Sequence, residues 1–261
     1  MNAIINSTYF GELCALSAAI CWSIAVIIFK SASKSLSPLL ITALKNTIAL
    51  FLFIVFFLIY GIPLWYDGFT TNDYIKIIIS GCLGMGFGDI LFIYALSKIG
   101  ANRIAIINCF EPAVIYFFSI ILLGTMLTFQ QLLGFIIVIT SLLIISYEKD
   151  QDDIDKKTKM YGLMLQITAI FLSSFGIVLI KPVLSKVAHS IDLQLWVTVF
   201  RLFPGFIVAW VIFLFQKNKQ TLLRPLKENS KVLGKILLSS GLGTFIALSF
   251  WIIGYANIEK P

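Results

Sequence analysis

The chain has 261 residues, of which 59% are hydrophobic and only 13% charged, with 20 Lys and Arg against 13 Asp and Glu. A soluble domain carries about 25% charged residues, so this composition and a mean hydropathy of +0.96 exclude one. The net charge of +7 fits basic loops beside anionic lipid better than nucleic-acid binding.

Apolar runs of roughly 17–25 residues, the length that a hydrocarbon core requires, recur along the chain. They predict eight spans: Leu13–Phe29, Leu39–Tyr60, Ile75–Leu96, Ile104–Leu123, Phe129–Tyr147, Tyr161–Ile180, Leu193–Phe215 and Val232–Tyr255. Met1 to Phe10 lacks a positive n-region, so no cleavable secretory signal is expected. Trp65 and Tyr66 in the loop after span two suit the headgroup zone. Gly124–Thr128 is a tight turn that makes spans four and five antiparallel neighbours. Glu148–Lys159 is the most polar segment, and span six ends at Lys181–Pro182. The fold class expected is an all-α integral membrane protein.

The two halves resemble each other. Gly11 and Lys30 bracket span one at the spacing with which Gly162 and Lys181 bracket span six. Lys45 of span two has Arg201 as its counterpart in span seven, Ser80–Gly81 parallels Ser240–Gly241, and Tyr94–Ala95 parallels Tyr255–Ala256. These matches divide the chain into a first repeat of five spans, 1–147, a polar linker, 148–160, and a second, incomplete repeat of three, 161–261. An odd number of spans inverts the second copy relative to the first. Counterparts of Ile104–Tyr147 are missing after Pro261, and a truncated gene, a fragment and a true eight-span protein would all look alike.

The membrane interior is nearly free of charge. Among Lys and Arg only Lys45 and Arg201 lie deep in a span; among Asp and Glu only Asp89 and Glu111 do. Each isolated charge would cost about 2.5–3.5 kcal/mol at a helix centre, and intramembrane ionisable groups mark functional sites by default. Asp89 and Glu111 lie about eleven residues either side of the Gly100–Ala101 turn, so at ~1.5 Å rise per residue both sit roughly 16 Å from its tip. Lys45 has a depth compatible with pairing to Glu111. Asn108 shares a helix face with Glu111, and Pro112 cannot donate to the Asn108 carbonyl. Gln194, Thr198 and Arg201 form a polar stripe. Gln166 and Ser173 on span six, with the aromatics Trp22, Tyr94, Tyr116, Trp196 and Trp251, complete the candidates for a mid-membrane cavity.

In that cavity Glu111 or Asp89 would take a cationic group or a proton, and Lys45 and Arg201 a carboxylate or phosphate. Two carboxylates held close share a proton, which suits proton coupling. The competing reading is a set of structural ion pairs. The glycines of GCLGMGFGD (Gly81, Gly84, Gly86, Gly88) lack the preceding strand of a nucleotide loop and read as helix packing. Four cysteines in apolar runs and one loop histidine, His189, leave no material for a metal site, and no cofactor is expected.

AAICWSIAVIIFK in span one, GDILFIYALSKIGANRIAI across the hairpin and FEPAVIYFFSIILLGTMLTFQQLLGFIIVITSLLII through spans four and five resemble the EamA domain of the drug/metabolite transporter superfamily. Glu111–Pro112, an apolar run, a turn and Gln131-x-x-Gly134 in that order carry the likeness most specifically; Gly124–Thr125 stands where Gly-Glu is common. The resemblance implies ten helices in two inverted five-helix repeats and a multi-pass protein of the plasma (bacterial inner) membrane that is not an enzyme. It implies movement of small metabolites without ATP; with the intramembrane charges, the expected function is secondary transport of a small polar metabolite, such as an amino acid or amine, by alternating access. A non-transporting membrane partner is the alternative, and a lipid enzyme a more distant one, since no acidic cluster or His/Ser/Cys constellation is visible. Orientation is read two ways: Lys and Arg concentrate in the odd-numbered loops, placing the N-terminus outside, whereas the resemblance implies a cytoplasmic N-terminus.

Overall fold

A computed structural model describes residues 9–126, 128–145, 154–217 and 219–257. Among them the regular elements are all helical. α1 is Phe10–Ala32, α2 Pro38–Tyr60, α3 Thr71–Ser80, α4 Asp89–Asn108, α5 Glu111–Leu123, α6 Phe129–Ile145, α7 Lys156–Lys186, α8 Ile191–Leu214, α9 Lys219–Glu228, α10 Ser230–Ser239 and α11 Leu248–Asn257. A π-helical segment, Gly81–Gly88, fuses α3 to α4, and a second, Ser240–Ala247, fuses α10 to α11.

By length and composition six of these rods can cross a membrane, not the eight expected: Phe10–Ala32, Pro38–Tyr60, Thr71–Asn108, Lys156–Lys186, Ile191–Leu214 and Ser230–Asn257. Expected spans four and five are the shorter α5 and α6, of 13 and 17 residues. Span four is shortened by Pro112. Its ring nitrogen cannot bond the Asn108 carbonyl, the Cys109 and Phe110 N–H groups fall back to Ile106 and Ile107, and a new helix begins at Glu111. The expected turn at Gly100 is a backbone break with φ +82° inside Asp89–Asn108, a conformation that favours glycine. Span six does not stop at Lys181–Pro182; α7 absorbs the one bond that Pro182 cannot make and runs to Lys186. The loop after span seven contains helix α9. The polar linker is helical from Lys156, and its residues 148–153, like Ser146 and Tyr147 at the end of span five, lie outside the described residues.

Helix starts follow local chemistry. Ser37, Thr70, Asp155, Ser190 and Asn229 each accept a backbone N–H at an N-terminus. Thr128 and Gln131 form a reciprocal capping box at the start of α6, with the Thr128 N–H donating to Gln131 Oε1 at 2.9 Å. The glutamine of the Gln-x-x-Gly motif therefore starts a helix.

Two apolar clusters divide the bundle across its depth. One gathers Ala49–Phe57 of α2, Ile177–Val187 near the end of α7 and Leu195–Leu202 of α8. The other gathers the opposite ends of those helices, with Leu39–Ala43, Ala169, Ile170, Ala209 and Phe213, and adds Ile90–Ile99 of α4. Lys45 and Asp89 fall between them along the helices, and Arg201 lies at the inner edge of the first. The glycine-rich π segment packs against α7 and α8. A Cβ on Gly205 would lie 2.6 Å from the Met85 Cβ, whereas one on Gly134 would meet nothing within 4 Å among the described residues. Gly205→Ala should therefore destabilise the protein by about 1–3 kcal/mol through overpacking, while Gly134→Ala should leave stability unchanged or raised; thermal melts in detergent separate the two.

Candidate functional site

The helices enclose a cavity of about 460 Å³ at the level of the polar layer, within the roughly 300–1,000 Å³ typical of small-molecule sites. Lys45, Asp89, Asn108, Glu111, Gln166 and Arg201 all line it, and so do Trp22 and Ser173. Tyr94 does not. It is half-buried among the apolar side chains beside α4, since its helix turns that face away from the cavity. Tyr116 and Trp196 are also outside the lining, whereas Trp251 belongs to it.

The charges pair differently from expectation. Lys45 Nζ meets Asp89 Oδ2, not Glu111, and also donates to Asn46 Oδ1 at 3.1 Å. Equal depth allowed either acid; the direction in which α4 leaves the π segment selects Asp89. With Lys45 only 1% exposed, this pair joins α2 to α4. Asn46 Nδ2 donates in turn to the Met85 carbonyl at 3.2 Å, within the π segment. The Lys45–Asp89 pair is thus internally satisfied, as a buried ion pair must be.

Glu111 stands at the N-terminus of α5, which the Pro112 break places inside the bundle. A carboxylate there is favoured by the helix dipole. Among the described residues it has no hydrogen bond or ion pair, and Arg201 acts on it electrostatically. Arg201, 1% exposed, donates from Nε to Ser80 Oγ at 2.8 Å and lies over the Trp251 ring at 5.7 Å. Its Nη1 has no partner among the described residues. Gly81 and Gly84 leave room for it: a Cβ on Gly81 would lie 2.1 Å from the Arg201 carbonyl oxygen, and one on Gly84 2.8 Å from Nη2. The glycines thus do more than pack helices; two of them seat this arginine.

Gln166 Nε2 donates to Asn108 Oδ1 at 2.6 Å, which leaves the buried Gln166 Oε1 without a partner among the described residues. Thr244 Oγ1, on the second π segment, is buried, lines the cavity and is likewise unanswered. The rest of the expected stripe on α8 serves the fold. Gln194 donates to the Val187 and Ala188 carbonyls, closing the end of α7, and Thr198 donates back to the Gln194 carbonyl. Sequence reasoning missed Ser80 as the anchor of Arg201, Asn46 as a π-segment partner, and Thr244. The Ser-Gly matches marked the right places without revealing these contacts.

The EamA-like transporter family matches residues 9–147 of this sequence. The chain belongs to that family. A curated relative, the uncharacterized transporter YoaV of Bacillus subtilis (strain 168), is 27% identical over 139 residues, which are 53% of this chain and 47% of that protein. The chain thus spans about half the length of the curated relative it matches. A solved crystal structure at 17% identity superposes with a TM-score of 0.70, covering 96% of this chain and 80% of that one, and shows a shared fold. This EamA-family protein is therefore a multi-pass integral membrane protein of a transporter family.

Because the Lys45–Asp89 pair is internally satisfied, removing one partner strands a buried charge at a cost of about 3–5 kcal/mol, while replacing both with apolar groups is close to neutral. Lys45→Met and Asp89→Asn should each lower the melting temperature, and Lys45→Met/Asp89→Leu should regain more than half of the Lys45→Met loss. A double mutant no more stable than Lys45→Met alone would contradict a mainly structural pair.

Proposed function

We propose that this protein is a secondary transporter of a small polar metabolite, such as an amino acid or amine, working by alternating access with proton coupling at Glu111. The observation that carries this reading is one mid-depth cavity lined by two charged groups, Glu111 and Arg201, that lack a salt-bridge partner among the described residues. Unanswered charge in a low-dielectric site costs free energy that an incoming ligand can recover. A purely structural ionic network would pair its members, as Lys45 and Asp89 do.

The proposed unit has two halves, 1–147 and 161–261, with 148–160 between them. Several features support it. Each half carries a ten-residue helix that runs through an eight-residue π segment into a further helix. Lys30 of α1 donates to the Leu96 and Ser97 carbonyls at 3.1 Å, and Lys181 of α7 donates to the Tyr255 carbonyl at 2.5 Å. α1 packs on α11, and α7 packs on α4, so each half is stitched into the other. Both π segments contribute to the cavity lining, and π-helical turns recur at functional sites because they loosen the regular bond ladder. Rocking of the halves about these segments would expose the cavity to one side and then the other.

Proton coupling predicts that Glu111→Gln abolishes the pH-driven component of flux in proteoliposomes while the protein still inserts and runs as a single folded species. Full pH-driven uptake by that variant would remove Glu111 from the mechanism.

A further inference from the structure

Charge is distributed unevenly between the two ends of the bundle. At the end where α2 stops and α8 begins, Glu12, Asp67 and Asp192 are exposed, and Lys186 is taken by Asp73. At the opposite end, where α1 and α8 stop and α10 begins, Lys34, Lys217, Lys219, Arg224, Lys231 and Lys235 are exposed. Among the described residues the acids at this end are Asp155, which caps α7, and Glu228, which pairs with Arg224. The fold joins the elements that carry the other five cations. α9 has ten residues, too few to cross a membrane. It seats Leu222, Leu223 and Leu226 against the second apolar cluster and leaves Lys219 and Arg224 exposed. α9 packs on α10 and α10 on α1, where Lys235 Nζ donates to Ser31 Oγ at 2.8 Å, three residues before Lys34. Lys231 stands one turn before Lys235 on the same face of α10.

The depth of these lysines follows from the rod that carries two of them. Ser230–Asn257 has 28 residues, about 42 Å at 1.5 Å rise per residue, against a hydrocarbon core of about 30 Å. Its first four or so residues therefore stand in the headgroup layer. Lys231 is among them, and Lys235, just beneath, reaches the same layer by snorkelling. An ammonium has three donors and Ser31 uses one on Lys235, which leaves two for a phosphate. Apolar side chains flank the lysines: Leu214 and Phe215 precede Lys217, with Phe215 85% exposed, and Leu233 and Leu237 are exposed on α10. We infer that α9, the start of α10 and the end of α1 form a docking surface for anionic phospholipid, with the headgroup phosphate at Lys231 and Lys235 and the acyl chains along Leu233 and Leu237. A free phosphate would meet the charge and leave the apolar flank bare, and a zwitterionic headgroup would bring its own cation against the lysines. Only a lipid of net negative charge answers both. The surface is separate from the mid-depth cavity, whose lining includes none of these residues.

The test uses the full chain, purified in detergent and offered equal amounts of dioleoylphosphatidylglycerol and dioleoylphosphatidylcholine in mixed micelles. The ratio of the two lipids retained is read by native mass spectrometry, and the melting temperature is followed with each lipid alone. Phosphatidylglycerol should be retained in preference and should raise the melt more than phosphatidylcholine does. Each lysine near the surface is worth about fivefold in attraction to anionic lipid. Lys231→Gln/Lys235→Gln should therefore cut the preference about tenfold or more, with an unchanged melt in phosphatidylcholine. Lys156→Gln/Lys157→Gln removes the same charge from the exposed start of α7 and should cut it far less. Lys231→Arg/Lys235→Arg should keep the preference. About 1 M salt should abolish it, because charge is then screened within ~3 Å. Equal retention of the two lipids would overturn the proposal. So would equal losses in the two double glutamine variants, which would show attraction to net charge and not to this surface. A melt raised as much by inorganic phosphate would make the occupant a free anion, and one raised only by a polyglutamate peptide would make it an acidic protein; either result overturns the lipid.

Discussion

A charge held away from water must be answered by an opposite charge or by hydrogen bonds, and Lys45 and Arg201 impose that requirement on the bundle. Lys45 is met in full by Asp89 and Asn46. Arg201 is met in part, by Ser80 and the Trp251 face. The difference divides the polar layer into a satisfied ion pair and a set of unmet groups around the cavity. The framework pair fixes α2 against α4 beside the cavity, so the groups that remain unmet are held by elements that are not themselves in search of partners.

Backbone irregularity makes this layer possible. A regular apolar helix exposes no main-chain polar group and leaves no room between neighbours. Here the π segments open the bond ladder, and Asn46 meets one of the carbonyls there. Glycines let Arg201 approach to a distance that any Cβ would forbid. The proline break puts a helix N-terminus, with its positive end, under Glu111. Each device stands at the depth where the two apolar clusters meet, so close packing above and below compensates for the local loss of regular structure.

Hydropathy and charge sparsity made much of this legible in the sequence. Apolar length located the main spans, and four charges in a hydrocarbon background could hardly be overlooked. Lys45, Asp89, Asn108, Glu111, Gln166, Arg201 and Trp22 surround one cavity because a costly residue in a membrane bundle has few other places to go. Partner choice was not legible. Depth along a helix can be counted, but the azimuth around it depends on packing, and so Lys45 was expected at Glu111 and Tyr94 in the cavity. The π segments insert an extra residue per turn with no mark beyond glycine, which reads equally well as close packing. Proline was ambiguous as well: Pro112 ends a helix, whereas Pro182 and Pro204 are carried inside α7 and α8. A single missing bond can be absorbed when the flanking bonds hold, and the residue type does not reveal which case applies.

The closures at the two ends of the bundle are chemically unlike. At one end Asp73, capping α3 with Thr70, takes Lys186 of α7 through both carboxylate oxygens at 2.8 and 2.7 Å, and beside it Tyr66, Phe69, Tyr74 and Phe200 pack around Trp196. At the other end Lys30 bonds main-chain carbonyls next to the Gly100 break, and Lys235 donates to Ser31. Separating the first end would break an ion pair and a large aromatic contact together. Separating the second would release lysine ammoniums into headgroup water, where they are readily solvated. Behind the lysine end lie Phe29, Leu36, Leu39, Leu96 and Ile99, all buried, so each end is backed by close apolar packing.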